Sequence, residues 1–133
     1  VDLGRRGFGD TGENVVIGGT IGGGGGEAAQ LLFRALGPSV PGLTGTLPDP
    51  TLELHDADGV MLAFDDNWKD TQEAEIAATG FAPTDDREAA IEIPLAAGRY
   101  TAIVRGKDDM TGIALVEIYN LGIGAFVRNR PNE

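Results

Sequence analysis

DPTLELHDADGVMLAFDDNW, residues 49–68, is the stretch from which the fold of this chain can be read. Leu52 and Leu54 alternate with Glu53 and His55, and Val60, Leu62 and Phe64 alternate along the return. Alternation with a period of two is the mark of a strand with one buried face. The intervening Asp56-Ala-Asp-Gly59 reads as a tight turn, with Gly59 able to take a positive φ. The stretch therefore predicts a β-hairpin, followed by an acidic loop that ends at Trp68, the one tryptophan of the chain.

Working outward, the same punctuation recurs. Twenty-one glycines and seven prolines in 133 residues point to many turns and short strands. Residues 1–13 read as a flexible lead-in arm or an edge strand. Residues 14–21 (NVVIGGTI) read as a strand, and the five glycines at 22–26 as a turn. That run is not a phosphate loop, because no Lys-Ser/Thr pair and no helix follows it. Residues 28–36 (AAQLLFRAL) have helical propensity, but their length and the Gly37-Pro38 stop favour a strand. Residues 90–95 form a strand whose Pro94 suits a sheet edge. Residues 99–105, 113–119 and 121–127 complete the set. One helix is expected over about 71–79, with Asp70 as N-cap, Glu73 closing a capping box and Gly80 as its stop. The expectation is an all-β fold: a single antiparallel, jelly-roll-like β-sandwich of seven to eight strands plus that helix.

The charge of −11 is uneven. Thirteen acids between Asp49 and Glu92 face only Lys69 and Arg87, and the rest of the chain is neutral. Such a field repels phosphate backbones and anionic lipid, so nucleic acid is excluded as a partner and divalent cations or basic partners are favoured. No apolar run approaches the ~18 residues of a membrane span. The absence of cysteine removes thiolate chemistry and says nothing about compartment. The chain opens at Val1 without a signal-like segment, as a processed mature protein or an excised module would.

Five strings, RALGPS (34–39), DPTLELHDADG (49–59), DDNW (65–68), AGRYTAIVRG (97–106) and TGIALVEIY (111–119), together resemble a β-sandwich module of bacterial exported proteins. The layout is distantly similar to the pre-peptidase C-terminal domains that accompany secreted proteases. The resemblance spans about residues 4–120 and implies an extracellular or cell-surface, non-catalytic accessory or structural role. It brings no catalytic residues, and it leaves the segment from Gly122 onward as an addition.

The residues agree with that implication. Ser39, the one serine, lacks a nucleophile-elbow frame, and His55, the one histidine, is expected on a solvent-facing strand surface. Adjacent aspartates at turns suit a cation better than glycoside hydrolysis, which needs carboxyls across a sugar-wide cleft. Ca²⁺ takes six to eight oxygens, and two sets could offer them: Asp56 with Asp58, and Asp65, Asp66, Asn67 with Asp70. Neither matches an EF-hand loop. Trp68 has two readings, a ring for stacking on sugar or a core cap at the end of the sandwich, and the second fits the usual burial of tryptophan.

The termini suggest assembly. Leu121, Ile123, Ala125 and Val127 share one face of a glycine-interrupted run that could add to a neighbour's sheet, and head-to-tail addition builds a filament. An ordinary last strand in its own sandwich is the plainer alternative. The sequence thus points to a non-enzymatic structural or assembly module, associating with itself or with neighbouring domains. The alternative is a carbohydrate- or matrix-binding accessory module working through Trp68 and the acidic loops.

Overall fold

The computed structural model describes residues 5–10, 15–21 and 28–123, with side chains for 28–122. Eight strands run β1 (Arg5–Asp10), β2 (Val15–Ile21), β3 (Ala29–Leu36), β4 (Pro50–Asp56), β5 (Met61–Asp65), β6 (Ala89–Leu95), β7 (Gly98–Gly106) and β8 (Ile113–Ile123), with helix α1 (Glu73–Thr79) between β5 and β6. They form two sheets of order β1-β8-β3-β6 and β2-β7-β4-β5, called sheets A and B below. Every pairing between these strands is antiparallel. Strand 1 pairs with 8, 2 with 7, 3 with 6 and 4 with 5, so the chain is one long hairpin rolled into two layers. That is the jelly-roll topology expected from the sequence. The six strands from β3 to β8, three per sheet, carry the described core. β1 and β2 extend the sheets by backbone pairing, and Arg5–Asp10, expected within a lead-in arm, lies along β8.

Alternation explains the main core. Leu31, Phe33 and Ala35 of β3, Ile91 of β6 and Val116 of β8 meet Leu52 and Leu54 of β4 and Ala102 and Val104 of β7 between the sheets. Each fully buried Leu or Phe contributes roughly 1.5–3 kcal/mol. Leu47 plugs one end without a strand of its own, held by a bond from its N–H to the Ile113 carbonyl at 2.9 Å.

β3 is buried on both faces, which explains its near-continuous apolar sequence. Its outward Leu32 joins Ala90, Trp68 and Ile76 of α1 in a second cluster on the outer side of sheet A. That cluster fixes α1 through a single buried residue, Ile76. The start of α1 differs from expectation. The N-cap is Gln72, without a side-chain cap, and neither Asp70 nor Glu73 closes a capping box. Gln72 instead spends its amide on β6, donating to the Glu92 carbonyl at 2.8 Å and accepting the Glu92 N–H at 3.0 Å. Gly80 ends the helix at φ 82°, as its position in the sequence predicts.

Candidate functional site

The chemistry-bearing residues of the chain are distributed over both sheets. Ser39 lies after β3, and its hydroxyl donates to Glu88 at 2.7–2.8 Å. His55 lies on β4 in sheet B, bonded to Glu53 at 3.0 Å and to the Gly59 carbonyl at 3.2 Å. The hydrogen bond to Glu53 and then that carbonyl raise the His55 pKa. Burial opposes ionisation of Glu53, yet hydrogen bonds from His55 and Arg105 hold its carboxyl below the usual range. Serine and histidine thus serve different local networks.

A cleft of about 350 Å³ opens on the outer side of sheet A, between the loops at 39–41 and 83–84. Arg34 and Glu117 form its floor. Arg34 Nε donates to Glu117 Oε1 at 2.6 Å, and its two terminal nitrogens donate to the Phe81 carbonyl at 2.8 Å and the Tyr119 hydroxyl at 3.1 Å. Tyr119 in turn donates to Glu117 at 2.8 Å and stacks on Phe81 with ring centroids 4.7 Å apart. Three donors from one planar fork, each on a different partner, make a positioning device rather than a poised reagent.

The cleft walls depend on Glu88. Its side chain is fully buried, and it accepts from the backbone N–H groups of Gly37 at 2.8 Å, Ser39 at 2.9 Å and Asp85 at 3.3 Å. One carboxylate therefore ties the loop after β3 to the loop before β6. Gly37 is required there, because a Cβ would collide with the Leu47 carbonyl oxygen. The RALGPS string is explained by these contacts: Arg34 forms the floor, Gly37 permits the close approach, and Ser39 meets the carboxylate. Sequence reasoning missed both Glu88 and the Arg34–Glu117 pair. A signal existed for the pair, since each is a lone charge within an apolar strand.

The candidate calcium ligands separate. Asp56 accepts the N–H groups of Asp58 and Val60 at 2.9 and 3.0 Å, so its carboxylate shapes the hairpin turn, while Asp58 is exposed. Asp65 turns inward and accepts the Ala90 N–H at 3.0 Å, whereas Asp66 bonds Lys107 at 2.6 Å. Asn67 reaches Asp70 at 3.5 Å. Among the described residues no three His, Asp or Glu side chains converge as a metal site. Asp65 ends β5 and turns toward sheet A, whereas Asp66 lies in the bend beyond it and turns to Lys107, so the two do not act together.

Asp65 is 3% exposed, and its Oδ1 is buried without a hydrogen-bond partner. Burial, with Asp70 and Asp66 nearby, pushes its pKa up to about 6, against the Ala90 bond that lowers it. The folded state thus holds this proton more tightly than the unfolded chain. The stability it contributes is full below pH ~4 and is lost as pH rises toward 6, a swing of about 3 kcal/mol. Asp65→Asn keeps an acceptor for Ala90 and removes the buried charge. In chelator at pH 7 it is expected to gain about 1–3 kcal/mol over the parent, with the gap closing at pH 4. Urea denaturation at both pH values checks this; a gap independent of pH would count against it.

Two further expectations are relocated. Trp68 is 7% exposed and packs with Leu32, Ile76 and Ala90, so its ring is a core element and not a platform for sugar. Leu121 and Ile123 do not start a separate strand; they continue β8 along β3, with Ala29 opposite Ile123. Ala125 and Val127 lie outside the described residues.

The outer face of sheet B differs from that of sheet A. Among the described residues no helix covers it, and Val60, Leu62 and Phe64 are exposed at its β5 edge. Beside them Glu53 pairs with Arg105 at 2.9 Å.

No protein-family model matches the chain, and no curated protein matches it. Among solved structures it is similar to the pre-peptidase C-terminal domain of a collagenase from Bacillus anthracis. The two are 15% identical over 79% of this chain and 88% of that one, with a TM-score of 0.43.

Proposed function

We propose that this chain is a non-catalytic, extracellular structural module that works by contact with copies of itself or with neighbouring domains. The observation that carries this reading is the apolar edge of sheet B, exposed among the described residues, in a domain where Glu88 and the Arg34–Glu117 pair are engaged in scaffolding. Exposed contiguous apolar surface beside a sheet edge is the usual sign of an interaction site. Ser39, His55, Glu88 and the Arg34–Glu117 pair each hold structure in place, which among the described residues leaves no nucleophile beside a free base. The burial of Trp68 removes the main support for a sugar-binding role.

A fibre subunit is the finer form of the proposal, with residues beyond Ile123 adding to the sheet of the next copy. Light scattering and negative-stain micrographs of the full chain test it. Polymers that vanish when residues 124–133 are deleted support terminal strand addition; polymers that persist refute it. Calcium enters the proposal through the acidic loop that holds Asp65, Asp66, Asn67 and Asp70, the richer of the two oxygen sets in the sequence. Added Ca²⁺ is expected to raise the thermal midpoint above that in chelator, and an unchanged midpoint removes the ion from the reading.

A further inference from the structure

His55 Nδ1 lies 3.2 Å from the Gly59 carbonyl oxygen, and Nε2 lies 3.0 Å from Glu53 Oε1. Both partners are acceptors. The carbonyl has no proton to give, and Glu53 is ionised, bonded also to Arg105 at 2.9 Å. A neutral imidazole has one N–H and one lone pair, so it can satisfy only one of these contacts. Both together require the imidazolium, with each nitrogen donating.

The ring sits at the irregular step of the hairpin. Leu54 is opposite Ala63 and His55 is opposite Met61, which leaves Leu62 as the extra residue of a bulge. The Asp56 carboxylate accepts the Asp58 and Val60 N–H groups, and the Gly59 N–H donates to the Asp56 carbonyl at 3.0 Å. Gly59 turns at φ 82°, and its own carbonyl is held by His55. The charged groups that act on the ring are Glu53 on its own strand and Arg105 on β7. Its neighbours across the ladder, Met61 of β5 and Thr101 of β7, do not titrate.

We infer that His55 is a proton-operated clasp: charged, it fastens the β4–β5 turn through Gly59, and neutral, it releases that turn and leaves the start of β5 loosely held. On deprotonation Glu53 keeps the remaining N–H, because a carboxylate is the stronger acceptor. The Nδ1 lone pair then faces the lone pairs of the Gly59 oxygen, and the contact is lost. Val60, Met61, Leu62 and Phe64 are exposed on the stretch that follows, so protonation sets how firmly this apolar segment is held to its own sheet. The device stands on the turn geometry and holds whether or not the chain associates. The hydrogen bonds to Glu53 and then to Gly59 raise the affinity of the folded ring for its proton. The clasp is therefore still mostly closed at the ordinary histidine value of about 6.5 and opens at higher pH. Its stabilisation is full well below that value and is lost as pH rises through the higher, folded one.

His55 is the one histidine of the chain, so NMR of the isotope-labelled full chain follows the clasp directly. The ring is expected to titrate with a midpoint above the ordinary value and to end as the Nε2–H tautomer. The Gly59 carbonyl carbon and the Val60 amide nitrogen, which share one peptide unit, should shift with that same midpoint. Across it the hydrogen-exchange protection of the Val60 N–H should fall roughly fivefold, the weight of about one hydrogen bond. Protection that is unchanged through the titration, or a neutral ring that keeps its proton on Nδ1, overturns the clasp. Thermal denaturation of the parent and of His55→Ala gives a second readout. Both proteins carry Asp65, so its own pH dependence cancels. The gap between their midpoints is expected to narrow from about pH 5.5 to about pH 8.5. A gap independent of pH overturns the inference as well.

Discussion

Replacing Glu88 with alanine is expected to cost about 3–5 kcal/mol, a large share of the 5–15 kcal/mol that holds a domain of this kind together. The carboxylate is fully buried and takes hydrogen bonds from three backbone N–H groups and one hydroxyl. Removing it orphans the buried Gly37 N–H and loosens the partly buried Ser39 and Asp85 N–H groups, and a buried orphan costs roughly 1–3 kcal/mol. Glu88→Gln keeps one acceptor oxygen but turns an amide N–H toward donors, so an intermediate loss is expected. Ser39→Ala should lose only about 1 kcal/mol, because the Ser39 N–H still reaches Glu88. Urea denaturation ranks the three variants, and hydrogen exchange at the Gly37 and Ser39 amides localises the effect. A loss under 1 kcal/mol for Glu88→Ala would show that water replaces the carboxylate without penalty.

Arg34→Ala is expected to cost a similar 3–5 kcal/mol, since it leaves Glu117, 2% exposed, without this guanidinium. Arg34 also holds the Phe81 carbonyl and the Tyr119 hydroxyl, so the loop around Phe81 should loosen with it. Arg34→Lys is not a conservative change here. One ammonium cannot reach three partners arranged around a planar fork, and a loss of about 1–2 kcal/mol is expected. The informative variant is the double one, Arg34→Met with Glu117→Leu. Replacing both charges by apolar groups removes the desolvation cost together with the attraction, so most of the lost stability should return. If the double variant is as unstable as Arg34→Ala, the pair matters through its hydrogen bonds to the loop and not through its burial.

Both networks join parts of the chain that read as unrelated in sequence. Arg34 and Glu117 are 83 residues apart, and Glu88 meets Gly37 across 51. RALGPS and TGIALVEIY could be singled out as strings, but not as two halves of one contact. The acidic stretch around Glu88 illustrates the same point. In sequence it is one more carboxylate beside Asp85 and Asp86; in the fold Asp85 pairs with Arg87 at the surface, while Glu88 is sealed beneath two loops.

Local pattern was enough for much of the fold. The period-two alternation of Leu52 and Leu54, the Asp56–Gly59 turn, the strand over residues 29–36, the helix stop at Gly80 and the edge position of Pro94 all follow from constraints that act over a few residues; the return strand differs, because a bulge at Leu62 leaves Leu62 and Phe64 exposed while Ala63 and Asp65 turn inward. The failures occurred where a side chain had a choice of partner. Gln72 left the helix cap for the backbone of Glu92 on β6, Trp68 packed against Ile76 of α1, and Asp65 turned to Ala90 while Asp66, in the bend after β5, turned to Lys107.

The sequence by itself determined that this protein is an acidic, turn-rich antiparallel β-sandwich, because backbone sterics and alternating burial are local. Only the tertiary structure decided which carboxylates are buried and engaged, and which strand residues stay exposed. Those outcomes depend on dielectric and on neighbours brought together by the roll of the whole chain, and neither is a property of any one stretch.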